Sequence, residues 1–338
     1  SSTKGLLIPR MNTATILALA TPAKGLMVYD TANNQLMVNM GTPAVPDWET
    51  IVYKSGWSLT GNGGTSSGSF LGTTDVQPLR FRVNDIKAGY TDTGTANTSF
   101  GFRTLDSVTT GTFNTALGYK SLVSTTTGSQ NTAIGSNALR NNDNGSLNTA
   151  IGYISMQSNI DGGLNVGVGG WTLNKHKTGD RNVAIGFAAM YNDSIGEYNI
   201  AIGETALLNN KTGTYNTGVG SSTMYNSTTG SNNSTLGANT LFFNTSGQYN
   251  TATGAASLVN NTNGSYNTAN GAYALYANKT GLNNVATGFY TLQADTSGNS
   301  NTALGVSAMQ FSIGSNFNTA AGWIALSNTK GDGNSSFG

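Results

Sequence analysis

The chain has 338 residues, a formal net charge of +1, no cysteine, one histidine, 45 glycines and five prolines. Charged residues make up 9% of it, against about 25% in an ordinary soluble domain. This balance excludes the basic footprint of a nucleic-acid or anionic-membrane binder, and the missing cysteines exclude disulfides, thiol nucleophiles and thiolate metal sites. No apolar run approaches the ~18 residues that would span a bilayer as a helix.

The sequence opens Ser1-Ser2-Thr3-Lys4, without a start methionine or signal peptide, which reads as a mature form or a fragment. Residues 1–54 read as a small β-rich module. All five prolines (Pro9, Pro22, Pro43, Pro46 and Pro78) precede Asn97, so a compositional boundary falls before that residue. Residues 4–11 are a short apolar run, and a helical turn is predicted over 13–19. The apolar segments 25–30 and 35–39 flank Thr31-Ala32-Asn33-Asn34 and predict a hairpin, with a further strand over 48–53. Residues 55–96 read as a Gly/Ser/Thr-rich linker with connecting strands. The stretch 61–69 is the most linker-like, and 79–83 alternates apolar and basic residues as an exposed strand does.

From residue 97 to 338 the sequence repeats. Asn97, Asn114, Asn131, Asn148, Asn165, Asn182 and Asn199 stand 17 residues apart, as do Asn216, Asn233, Asn250, Asn267, Asn284, Asn301 and Asn318. Glycine follows each of the fourteen by four positions, and Leu or Met follows by eight. A second glycine follows by fourteen positions in twelve coils and one place earlier, at Gly314 and Gly331, in the last two. Such a register is the mark of a solenoid. One unit reads Asn131-Thr132-Ala133-Ile134-Gly135-Ser136-Asn137-Ala138-Leu139.

Two glycines per coil would each cost ~1 kcal/mol inside a helix, so strand is the expectation. The β-branched and Ile/Leu positions then share one face, and the small residue between them faces the other way. Gly at the fifth position permits a bend, the small-then-Leu/Met pair predicts a second short strand, and the polar remainder turns the chain. Coils stacked at ~4.8 Å would align the asparagines into an amide ladder and give a rod section of roughly 67 Å. A lone flat coil would leave the Thr/Ile face or the Leu/Met stripe in water. Burying one Leu-sized side chain per coil is worth ~1.5–3 kcal/mol, so a parallel homotrimer is expected, with a single-chain solenoid as the alternative.

The Asn-Thr-Ala-Ile-Gly unit with its following Ala-Leu resembles the head repeats of YadA-like trimeric autotransporter adhesins. That resemblance implies an all-β fold, a left-handed parallel β-roll. Those repeats are usually shorter, so the 17-residue spacing implies a longer loop per coil. Lys4-Gly5-Leu6-Leu7-Ile8-Pro9-Arg10-Met11, Gly25-Leu26-Met27-Val28-Tyr29-Asp30-Thr31, Trp57-Ser58-Leu59-Thr60-Gly61-Asn62 and Gly72-Thr73-Thr74-Asp75 resemble modules of tail-fibre-domain proteins of Bacteroidota and their phages. The likeness implies a fibre, carried by a cell or a virion, and brings no catalytic residues with it.

Other motifs reduce to bland readings. His176 has no second histidine or cysteine with which to seed a zinc site and reads as a solvated loop residue. Acidic residues do not recur with the repeat, which argues against calcium loops, and no histidine base serves the many hydroxyls. Asp193 and Glu197 could pair as glycosidase carboxylates but read as solvated. A Thr column suited to ice is interrupted at Val166, Val183, Ile200 and Val285. Phe113, Tyr198, Tyr215, Tyr249, Tyr266 and Phe317 precede asparagines and read as stacking between coils, with glycan platforms as the alternative. Asp30-Thr31-Ala32, Asp106-Ser107-Val108 and Asp193-Ser194-Ile195 resemble a Bacteroidota O-glycosylation pattern. The expectation is a non-enzymatic, cofactor-free extracellular fibre, a homotrimer attaching to a cell-surface glycan or protein as adhesin or tail fibre. It would bind no nucleic acid and insert in no membrane. A structural filament or a fibre-borne polysaccharide hydrolase are the competing classes. The end at Gly338, on a repeat glycine, suggests further residues beyond it.

Overall fold

The computed structural model describes residues 7–51 and 67–338, in two compact units, Ser1–Gly72 and Thr73–Gly338. The expected strand end at 52–53, the 57–62 segment and most of the 61–69 stretch lie outside the described residues. Residues 79–91, grouped with the linker on composition, belong to the second unit.

In the first unit Asn12 caps a five-residue helix, α1 (Thr13–Leu17), by accepting the Thr15 amide at 2.8 Å. Strands β1 (Arg10–Met11), β2 (Met27–Asp30), β3 (Gln35–Asn39) and β4 (Trp48–Thr50) form one sheet in that order. The hairpin pairs Met27 with Val38 and Asp30 with Gln35. Alternation along it points Val28 and Met37 onto Ile16, with Met11, Leu26 and Trp48 at the margin of this small core. Asp30 closes the hairpin turn onto α1: its carboxylate accepts the Thr13 hydroxyl at 2.7 Å and the Ala32 amide at 2.9 Å. The Thr13 hydroxyl above all, with the Asn33 and Ala32 donors, holds the Asp30 carboxyl below its ordinary range against the opposing effect of burial.

The second unit begins with an antiparallel hairpin, β5 (Leu79–Val83) and β6 (Ile86–Thr91), whose second strand pairs antiparallel with β7 (Thr98–Phe100). From β7 onward every pairing is parallel. Strands of three residues follow at 17-residue intervals, from β8 (Thr115–Leu117) to β20 (Thr319–Ala321), and β21 (Ser335–Phe337) follows after 16. Each residue lies opposite its equivalent one coil on, as Thr132, Ala133 and Ile134 lie opposite Thr149, Ala150 and Ile151. The second unit is therefore an all-β solenoid of 17-residue coils, and its ladder of strands is open at both ends among the described residues.

Only one strand forms per coil. The small-then-Leu/Met pair, expected as a second strand, lies in a turn, and its Leu or Met adopts a left-handed conformation in all fourteen coils (Leu139 φ 48°, Met190 φ 53°). Two further residues per coil do the same: the one two places before it, such as Asn137 (φ 57°), and the one just before each Asn, such as Leu147 (φ 61°). A left-handed residue other than glycine costs roughly 1–2 kcal/mol. The turns are held because their backbone groups bond from coil to coil as a strand's would. Asn137 donates to Tyr119 O at 2.8 Å, Leu139 to Ser155 O at 3.0 Å and Leu147 to Ser129 O at 3.0 Å.

The interior is narrow. Each coil sends in one Leu or Met, buried in all but the last coil, where Leu326 is partly buried, and the small residues at the middle of its strand and just before the Leu/Met, such as the fully buried Ala133 and Ala138. Room for one large side chain explains the small residue in mid-strand: a Cβ on Gly218 would lie 2.5 Å from Leu207 Cδ1 and 3.0 Å from Met224 Cε. The Leu/Met stripe is thus covered within its own chain and offers nothing to a partner, a correction to the expectation. The Thr/Ile face turns outward instead.

Candidate interaction faces

Two polar columns brace the coils from inside. Along the asparagine column, Asn199 Oδ1 accepts both the Asn216 amide at 3.0 Å and Asn216 Nδ2 at 3.2 Å, while Asn216 Nδ2 also donates to Gly230 O at 2.8 Å. The pattern holds, in full or nearly so, from Asn97 to Asn318 and continues at Asn334. All fourteen side chains are buried, so this column carries no ligand surface. Only an amide supplies the acceptor and the two donors that the geometry uses.

Eleven residues after each Asn runs a second column, made in six coils of asparagines such as Asn142, Asn159 and Asn261, each with Nδ2 donating to the glycine carbonyl three residues on. His176 occupies this column. It is fully buried rather than solvated, because its Nε2 replaces that amide by donating to Gly179 O at 2.7 Å. Its Nδ1 lies 3.0 Å from Oδ1 of Asp193, the next member of the column. Asp193 also accepts the Gly196 amide at 2.9 Å and Asn210 Nδ2 at 2.6 Å. Asp193 is therefore not solvated either, and Glu197 is exposed on the surface, so the two form no carboxylate pair around a substrate. Asn159 Oδ1 is left without a donor where the histidine interrupts the ladder.

The outer strand face is regular and apolar. Three residues after each Asn it carries Phe100, Leu117, Ile134, Ile151, Val168, Ile185, Ile202, Val219 and Leu236 in nine successive coils. Ile185 and Ile202 are 38% and 37% exposed and Leu236 57%. The strip then turns polar at Thr253, Asn270 and Thr287. Aromatic residues flank it at the corner before the Asn. Tyr198 and Tyr215 stack at 4.8 Å and Tyr249 and Tyr266 at 5.0 Å, their rings within 8° of parallel, and all four are exposed. In the O-glycosylation-like motifs Thr31 and Ser107 are exposed and Ser194 half-buried.

A cleft of about 370 Å³ lies where the β5–β6 hairpin meets the first coils, lined by Arg80, Lys87, Tyr90 and Asp92. Its chemistry is turned inward. Lys87 Nζ donates to Leu105 O at 2.5 Å and sits 4.2 Å over the Tyr90 ring. Burial lowers the Lys87 ammonium below its ordinary range and raises the Tyr90 hydroxyl. Among the described residues no group of three His, Cys, Asp or Glu side chains is placed to hold a metal, and no helix is long and apolar enough to cross a membrane.

Signals for the outward strip were present in the sequence, in the alternation of the strand. The buried role of His176 and Asp193 was legible only by aligning the loops with one another, eleven places after each Asn. Compared with known proteins, the chain matches no curated sequence and no solved structure. Residues 1–67 match the model of one family, described as a phage tail like trimerisation region, and that match supports a homotrimer and a fibre of the phage-tail kind.

Proposed function

We propose that this chain is the subunit of a homotrimeric, non-enzymatic fibre whose solenoid forms the rod and whose surface attaches the fibre to a cell. The observation that carries the reading is the outward apolar strip from Phe100 to Leu236, joined to the trimerisation match over 1–67. Nine apolar side chains in line, six of them exposed and Ile134, Val168 and Val219 half-buried, form the kind of contiguous surface that a soluble protein covers. A parallel trimer in register brings like coils to the same height and covers all three strips at once. Among the described residues the core of the first unit comprises Ile16, Val28 and Met37, with Met11, Leu26 and Trp48 partly buried against it.

Attachment follows from the form of the molecule. A rigid rod repeats its backbone while loops and corners vary, and three copies raise weak contacts by avidity. The likeness of the Asn-Thr-Ala-Ile-Gly coil to YadA-type heads, and of the N-terminal modules to tail-fibre proteins, favours a place outside the cell or on a virion. Buried column residues and the inward-turned cleft offer no nucleophile or acid–base pair, which favours a binding role over a hydrolase. Light scattering should report three chains, and labelled fibre should bind cells saturably. A folded monomer would overturn the assembly, and a trimer without saturable binding would leave a passive shaft.

A further inference from the structure

Charge is unevenly spread along the rod. Between Lys279 and Lys330 the sole charged residue is Asp295, and its side chain is buried. Two whole coils and most of a third therefore present no charge to solvent, where soluble surfaces usually carry about 25–35% charged residues. Aromatic rings concentrate at the same place. Tyr273, Phe289 and Tyr290 cluster on the turn after the strand, with ring centroids 3.8 Å apart for Phe289–Tyr290 and 5.3 Å for Tyr273–Tyr290. Trp323 continues the Phe289 column two coils further on and is 76% exposed. Beside the rings runs an amide pair, Gln310 Nε2 donating to Gln293 Oε1 at 2.9 Å. Among the described residues, Gln293 Nε2 and Gln310 Oε1 meet no other protein group. The apolar strip of the strand face is interrupted at Thr253, Asn270 and Thr287 before Leu304, and the rings lie on the turn beyond the strand, so this surface is not its continuation.

We infer that the turn surface of Tyr273, Phe289, Tyr290 and Trp323, with Gln293 and Gln310, binds an uncharged glycan. This rests on the attachment reading and names its ligand class. Sugars offer apolar C–H faces that lie on exposed rings, and hydroxyls that use a free amide donor and acceptor. Exposed rings on three of four successive coils, interrupted at Val306 and Ser307, suit contacts spaced along an extended polymer. Lys279 and Lys330 bound this stretch in sequence, and between them an acidic polysaccharide finds no cation. A docking protein is disfavoured, because protein interfaces are steered by charge and residues 280–329 expose none.

The test is affinity electrophoresis of the full chain in gels holding a neutral β-glucan, a neutral mannan or, separately, acidic alginate, with cell binding measured in parallel. Retardation by at least one neutral polymer and not by alginate is expected, unchanged at about 0.5 M salt, where exposed charges are screened. Trp323→Ala and Tyr290→Ala should each weaken retention about tenfold, the effect of ~1.4 kcal/mol, with mass and melting unchanged. Tyr119→Ala, far along the rod in the charged coils, should retain full binding. Failure of every neutral polymer to retard, or stronger retention by alginate, overturns the inference. So does a change of oligomeric mass in Trp323→Ala, which would make this an assembly face. Saturable cell binding that persists when neutral polymers fail leaves attachment standing and sinks only the glycan; absence of both sinks the two together.

Discussion

Glycine and left-handed residues set what each position of the coil tolerates. Gly169 (φ +131°) lies so close to the next coil that a Cβ would meet Gly186 O at 2.7 Å, while the adjoining Gly170 would meet nothing nearer than Phe187 at 3.7 Å. Gly169→Ala should lower stability by ~1–3 kcal/mol, as overpacking against unyielding backbone does, and Gly170→Ala should leave the melting temperature nearly unchanged. Equal effects in thermal melts would refute the stacking geometry. Leu207 tests the left-handed turn (φ 50°). Leu207→Met keeps volume and should cost below ~1.5 kcal/mol. Leu207→Ile also keeps volume but puts a branch at Cβ where φ is positive, and should cost about 1–2 kcal/mol more. Calorimetry on the two variants separates shape from backbone strain.

The coil, rather than the strand, is the unit of stability. Three strand residues per coil are too few to hold a sheet, and the rest of the hydrogen bonding passes between turns of successive coils, as from Asp143 to Ile160 O at 3.0 Å. Removal of residues 250–266 takes out one complete coil and rejoins Tyr249 to Asn267, so the Asn, Gly and Leu/Met columns close again. That variant should melt within a few degrees of the parent. Removal of eight residues from the same place puts polar loop residues against the Leu/Met column and should abolish the cooperative transition beyond the deletion. Circular dichroism melts check both. In the first unit, Asp30 plays the equivalent role for the hairpin. Its folded pKa is depressed, so its contribution is present above the ordinary value of 3.8 and is lost as pH falls through the lower folded value.

At the scale of the whole molecule, the proposed assembly face and the core of the coil lie on opposite sides of the same strand. Ala201 faces inward and is fully buried, while Ile200 and Ile202 face out at 38% and 37% exposure. Ile185→Asp combined with Ile202→Asp places two carboxylates on the outer strip without touching the interior. This variant should keep the β signal of the coils and lose the trimer, or show a dissociation constant raised by several orders of magnitude, in sedimentation. Ala201→Asp should instead unfold the coils around it, because it would bury a carboxylate in the apolar core. Retention of the trimer by the double variant would move the assembly to the first unit alone.

The sequence by itself determined the period, the register and the boundary of the repeats, because stacking forces equivalent residues into one column and the column shows as a spacing. Even the left-handed turns left a trace there: none of the fourteen residues before an Asn is β-branched, and the inward apolar residue is always Leu or Met and never Ile or Val. Tertiary structure decided which side of the coil is inside. Alternation separates two faces without saying which is covered, and the answer turns on a narrow interior that admits Ala133 beside Leu139 but has no room for Ile134 as well. It also decided the fate of His176 and Asp193, whose polarity predicts exposure, whereas a column of hydrogen-bonding neighbours one coil away makes burial affordable.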